Sequence, residues 1–229
     1  MLRDTISEPS SEVDLANRRR APLRSLLGGG IDGNEQLTAM TGSILIVLLA
    51  VLGLTIVRIG QLMWLHLFLG LLLLGPVLLK MASTGYRFLR YYTRAAVYRA
   101  KGPPMPLLRA MGPIVVLSTV AVFVTGVVLL FNGPGGRSTL VLLHKASFIV
   151  WLVFMAVHVL AHLPALGRSL RAVPIAAEEA GLPRQAARYG AAGRWLAVGG
   201  AIVGGVVLAL VLIPHFGVWT APGALPHHH

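Results

Sequence analysis

Five long apolar stretches separated by polar ones set the pattern of this chain. They cover roughly 39–57, 62–83, 107–131, 140–163 and 191–213, each near the ~20 residues that carry a helix across a bilayer core. Pro76 predicts a kink in the second stretch and Pro113 lies near the start of the third, while Pro164 and Pro214 predict the ends of the fourth and fifth. Residues 1–36 are polar, with Arg18, Arg19 and Arg20 in a row and GGGIDG at 28–33, and read as a disordered basic tail. A twin-arginine export signal is a weaker reading, because no apolar segment and cleavage site follow closely. The pattern predicts an all-α membrane protein with five transmembrane helices. The first four form a bundle over 37–163, a loop at 164–190 leads to the fifth helix at 191–213, and 214–229 is a tail. Its last residues, His227, His228 and His229, look like the start of a purification tag and are set aside.

Composition agrees with the pattern. Of 229 residues, 55% are hydrophobic and 12% charged, and the mean hydropathy is +0.75, outside the soluble range. With no cysteine, disulfides, thiolate metal sites and iron–sulfur clusters drop out. The net charge of +12 does not indicate nucleic acid, because the arginines sit between apolar spans, where membrane orientation accounts for them. The tail, the 84–106 loop (Arg87, Arg90, Arg94, Arg99, Lys101) and the 164–190 loop (Arg168, Arg171, Arg184, Arg188) are basic, whereas the two short opposite loops carry only Arg58 and Arg137. The positive-inside rule therefore predicts a cytoplasmic N-terminus and an outer C-terminus, in a membrane such as the bacterial cytoplasmic one. No carboxylate occurs between Glu35 and Glu178, which counts against proton pumps and divalent-cation carriers.

The fifth span contains Gly199, Gly200, Gly204 and Gly205. Gly200 and Gly204 make a GxxxG pair, which predicts close packing against the other helices or, as the sharper reading, a homodimer face. His215, just beyond, reads as a solvated interfacial residue.

The chemistry lies in the fourth span. His144, His158 and His162 are spaced by fourteen and four residues, which at 100° per residue keeps them on one stripe to within about 40°. An imidazole in hydrocarbon costs free energy unless it binds something. The second span carries His66, and both spans enter from the outer side, so they run parallel. His66 and His144 fall at one depth, and two neutral imidazoles on opposite sides of a flat metal ring are the ligation of a low-spin b-type haem. Gly70, one turn below His66, leaves room for a porphyrin face. Fourteen residues further in, His158 lies roughly 21 Å below His144, and the matching position on the second span is Lys80.

Paired histidine ladders on two parallel helices resemble the di-haem cytochrome b membrane domain, found in the cytochrome b of quinol-oxidising complexes and in the gamma subunits of formate dehydrogenase and membrane hydrogenase. The resemblance covers about 39–163. It implies two stacked haems and electron exchange with quinone, with His66 and His144 as outer ligands and His158 as one inner ligand. The departure is Lys80, where the quinol-oxidising pattern has histidine. Three readings of the inner site follow. Neutral Lys80 ligates iron opposite His158; or His162 enters with another partner such as Met81 or Met111; or there is no inner haem and Lys80 snorkels to the headgroups. The expectation is thus one haem b or two, with quinone as a candidate partner.

Haem propionates call for cations: Arg58, Arg137 and Lys145 are the outer candidates, Arg87, Arg90 and Arg109 the inner ones, with Lys145 favoured. Tyr86, Phe88, Tyr91 and Tyr92 interleave with Arg87, Arg90 and Arg94 as an interfacial segment. The leading expectation is an electron-transfer cytochrome exchanging with quinone or a partner subunit of an oxidoreductase. The alternatives are a histidine-based transition-metal transporter or sensor, and an anchor with structural histidines. No nucleophile–base arrangement or phosphate loop points to catalysis by the chain alone.

Overall fold

The computed structural model describes residues 30–93, 106–133, 137–179 and 191–221. The expectations for tail residues 1–29, for Arg94, Arg99 and Lys101, and for 180–190 and 222–229 lie outside these residues. Every regular element among the described residues is helical: α1 (Gly30–Val57), α2 (Ile59–Tyr92), α3 (Pro106–Asn132), α4 (Arg137–Glu179), α5 (Ala191–Leu212), a 3₁₀ turn at Ile213–His215 and the short α6 (Gly217–Thr220). Five of these are long and apolar enough to cross a membrane, the constitution of an integral membrane protein.

Three boundaries differ from expectation. Helix α1 begins at Gly30, inside the stretch read as a disordered tail. Asn34 donates to the Ser83 carbonyl at 3.1 Å, the Thr38 hydroxyl bonds to Ser83 Oγ at 3.2 Å, and Glu35 pairs with Arg87 at 3.4 Å. These contacts hold the polar first turns of α1 against α2, which itself runs on to Tyr92. Helix α4 passes through Pro164 and continues to Glu179, although its membrane-long apolar part does end at Pro164. A proline removes one ladder bond, and the turns on either side can persist. Pro76 likewise sits fully buried within α2, and the non-helical dihedrals lie instead at Leu62 (φ −111°, ψ 19°), just after the turn at Arg58.

The helices pack as two groups. Helix α2 is central, with Leu69, Leu71, Leu72, Leu73 and Pro76 buried; α1 and α5 pack along it, and α3 packs along α4. Close packing of the fifth helix against the others, one of the two readings of its glycines, is met on α2, which α5 approaches backbone to backbone. A Cβ placed on Gly205 would collide with the Leu72 carbonyl, and one on Gly75 with the Ala201 carbonyl. Pro76 has no N–H, so the Leu72 carbonyl lacks its i+4 donor and lies against the Gly205 backbone instead. The packing row is thus Ala201 and Gly205, while Gly200 and Gly204 face outward and a Cβ at either would meet nothing within 4 Å.

Beyond α5 the chain folds back over one end of the bundle. Phe216 and Trp219 are buried there in a cluster with Leu71, Leu129, Leu130 and Ala209. Trp64 meets Phe216 edge-on at 6.0 Å, and the Arg137 guanidinium lies 5.9 Å from the Trp219 ring centre. His215 is exposed, as expected, with its ring edge-on to Phe131 at 4.8 Å.

Candidate functional site

His66 lies about two turns below the start of α2, and His144 about two turns below the start of α4. The two are near enough for a charge on one to act on the other. Lys80 stands in the same relation to His158 and His162. The two couplings run in the same order along α2 and α4, as on helices that run parallel.

Each upper histidine is seated by the helix packed beside its own. The Thr55 hydroxyl of α1 lies 2.9 Å from His66 Nδ1 and 2.6 Å from the Leu52 carbonyl. A hydroxyl has one proton, and the short contact to the carbonyl takes it. The Thr55 oxygen then accepts the Nδ1–H of His66. Thr125 of α3 repeats the arrangement, 3.0 Å from His144 Nδ1 and 2.7 Å from the Ala121 carbonyl, with Ser147 Oγ at 3.3 Å as a further neighbour. This arrangement suits rings that carry their proton on Nδ1 and keep the Nε2 lone pair, the form of imidazole that binds a metal. Neither threonine was singled out from sequence, because its role depends on which helix packs beside which.

Two glycines shape the same level. On α3, Gly126 accommodates the His144 ring, since a Cβ there would come within 3.2 Å of Cε1. On α2, a Cβ at Gly70 would meet nothing within 4 Å, which agrees with open space one turn below His66. Lys145 is exposed.

The lower level is built differently. Lys80 Nζ donates to the Thr38 carbonyl of α1 at 2.6 Å and packs over Gly42, where a Cβ would stand 3.1 Å from the nitrogen. The His158 and His162 rings are 4.6 Å apart, and His158 Nδ1 is buried without a hydrogen-bond partner. Met111 is buried on α3. Among the described residues no three His, Cys, Asp or Glu side chains converge as a set for a bare metal ion.

Compared with protein-family models, curated proteins and solved structures, the chain matches none.

Proposed function

We propose that this chain is a membrane b-type cytochrome, with one haem b held between His66 and His144. What supports the reading is a pair of imidazoles, each about two turns into its helix and within electrostatic reach of the other, with a threonine oxygen beside each Nδ1 to accept its N–H and leave Nε2 for a metal. Two lone pairs are too few for a bare zinc or copper ion, which takes about four ligands, but they complete an iron already held by four porphyrin nitrogens. The donor set therefore fits haem better than a transported metal ion.

Bound haem supplies one-electron chemistry at iron. The protein contributes the rest. Thr55 and Thr125 fix the ring tautomers and, by accepting Nδ1–H, make both imidazoles stronger donors. Gly70 leaves space beside His66. At the same end, the buried indole N–H of Trp219 lacks an acceptor and Arg137 stands over that ring, so these two are better placed to receive propionates than Lys145. Phe216 and Trp219 cover that end with apolar surface and exclude water. Lys80, by contrast, is bonded to α1, which leaves α2 without an evident ligand opposite His158 and favours one haem over two.

The basic loops put the His66 end outside and the Lys80 end toward the cytoplasm. In this setting the protein passes electrons between its haem and a quinone or a partner subunit, as the membrane component of an oxidoreductase. The test is the full chain purified from haem-replete cells: a reduced-minus-oxidised haem b spectrum with one haem per chain by pyridine haemochrome assay is expected. A colourless, haem-free preparation would falsify the reading.

A further inference from the structure

The Lys80 end holds cations that the cytochrome reading leaves without a task. The Lys80 ammonium has three N–H donors, and one is used, on the Thr38 carbonyl at 2.6 Å. His158 and His162 stand one turn apart on α4, and Nδ1 of His158 is buried with no partner among the described residues. The Lys80 charge acts on both rings, and Arg87, two turns further along α2, acts on Lys80 and His162. Among the described side chains the carboxylate at this end is Glu35, and it is engaged by Arg87 at 3.4 Å. No other carboxylate follows before Glu178. Among the described side chains, positive charge and unspent donors therefore outnumber acceptors at this end.

Depth identifies the complementary group. Lys80 lies twenty-one residues beyond Ile59, about 31 Å along the helix at 1.5 Å per residue, where hydrocarbon gives way to headgroups. The chemistry concentrated at that depth is the phosphate ester. Gly42 supports the assignment, since its missing side chain lets the ammonium lie against α1 without being displaced.

We propose that Lys80, His158 and His162 form a binding site for a phosphate oxyanion, with Lys80 Nζ and His158 Nδ1–H as donors to its oxygens. The site goes beyond the cytochrome reading and rests only on the membrane placement, so loss of the haem assignment would leave it standing. Basic pockets between membrane helices at the cytoplasmic side are a recurring form of anionic headgroup recognition.

The full-length protein in detergent micelles, supplied with equal dioleoyl-phosphatidylglycerol and dioleoyl-phosphatidylcholine, tests the proposal by native mass spectrometry of retained lipid. One phosphatidylglycerol per chain is expected in preference to phosphatidylcholine. Lys80→Gln is expected to lower that preference about tenfold, the effect of removing one charge-assisted hydrogen bond, whereas Lys80→Arg keeps it. Tryptophan-fluorescence melting confirms that each variant is folded. Inorganic phosphate against chloride at matched ionic strength separates the sources. Displacement specific to phosphate assigns the site to the free ion, and retained phosphatidylglycerol assigns it to the lipid. Equal retention of the two lipids with no phosphate-specific effect on wild type overturns the proposal, with no variant needed. So does a folded Lys80→Gln protein that keeps the full preference.

Discussion

The two ends of the α2–α4 pair make an instructive contrast. At the upper end, rigid rings are fixed by neighbours on other helices: Thr55 holds His66, Thr125 holds His144, and Gly126 is cut to the shape of the ring. At the lower end, the residue facing the histidines from α2 is a flexible amine tied to a backbone carbonyl, and His158 keeps an unspent nitrogen. The first arrangement fits a ligand whose geometry is dictated by metal coordination. The second fits one that needs charge and donors but no fixed bond direction. Both ends have helical spacing and basic nitrogen in common, so spacing alone does not distinguish them; the hydrogen bonds do.

Substitutions can break this contrast, and the largest effect is expected from the ligands themselves. His66→Ala or His144→Ala should abolish the haem b spectrum, while His158→Ala should leave its amplitude unchanged. Loss of half the pigment in His158→Ala would establish a second haem and dissolve the asymmetry. Next comes Thr125→Val, which removes the hydroxyl oxygen 3.0 Å from His144 Nδ1. Haem affinity should fall by about tenfold, and the midpoint potential should rise as the imidazole becomes a weaker donor; titration of apoprotein and redox potentiometry measure the two.

Smaller effects sharpen the same comparison. Gly126→Ala brings a methyl group against the His144 ring and should cost about 1–3 kcal/mol in thermal or denaturant unfolding, as overpacking does. Gly42→Ala brings the same group against the end of the Lys80 chain, which can shift by a few tenths of an ångström, so a change within about 0.5 kcal/mol is expected. If the two glycines proved equally sensitive, the claim that one end is shaped and the other adaptable would fail.

Much of the fold could be read in one dimension. The five spans are runs of apolar residues, and helical arithmetic sets His66 against His144 and Lys80 against the His158 stripe, pairs that lie within electrostatic reach of each other. What escaped was set by contacts between helices. Thr55 precedes His66 by eleven residues across a one-residue turn, and a hairpin reading of that turn could have paired them; Thr125 carries no comparable local sign. The GxxxG pattern pointed to α5 as a close-packing helix but to the neighbouring row, because Gly200 and Gly205 differ in helical phase and only packing shows which side meets α2. Pro164 reads as a stop because proline rules describe a local cost, and α4 continues through it to Glu179.

The contact between Gly205 and the Leu72 carbonyl has a mechanical consequence. Backbone seated against backbone leaves no side chain to change rotamer and take up a displacement, so α5 cannot slide along α2 by fractions of a turn without a collision. Helices α2 and α5 therefore behave as a single strut, and the folded-back segment carrying Phe216 and Trp219 travels with it. Any breathing of this molecule is confined to the seam where that strut, with α1 along its side, meets the α3–α4 pair, and the two imidazoles stand on opposite banks of that seam.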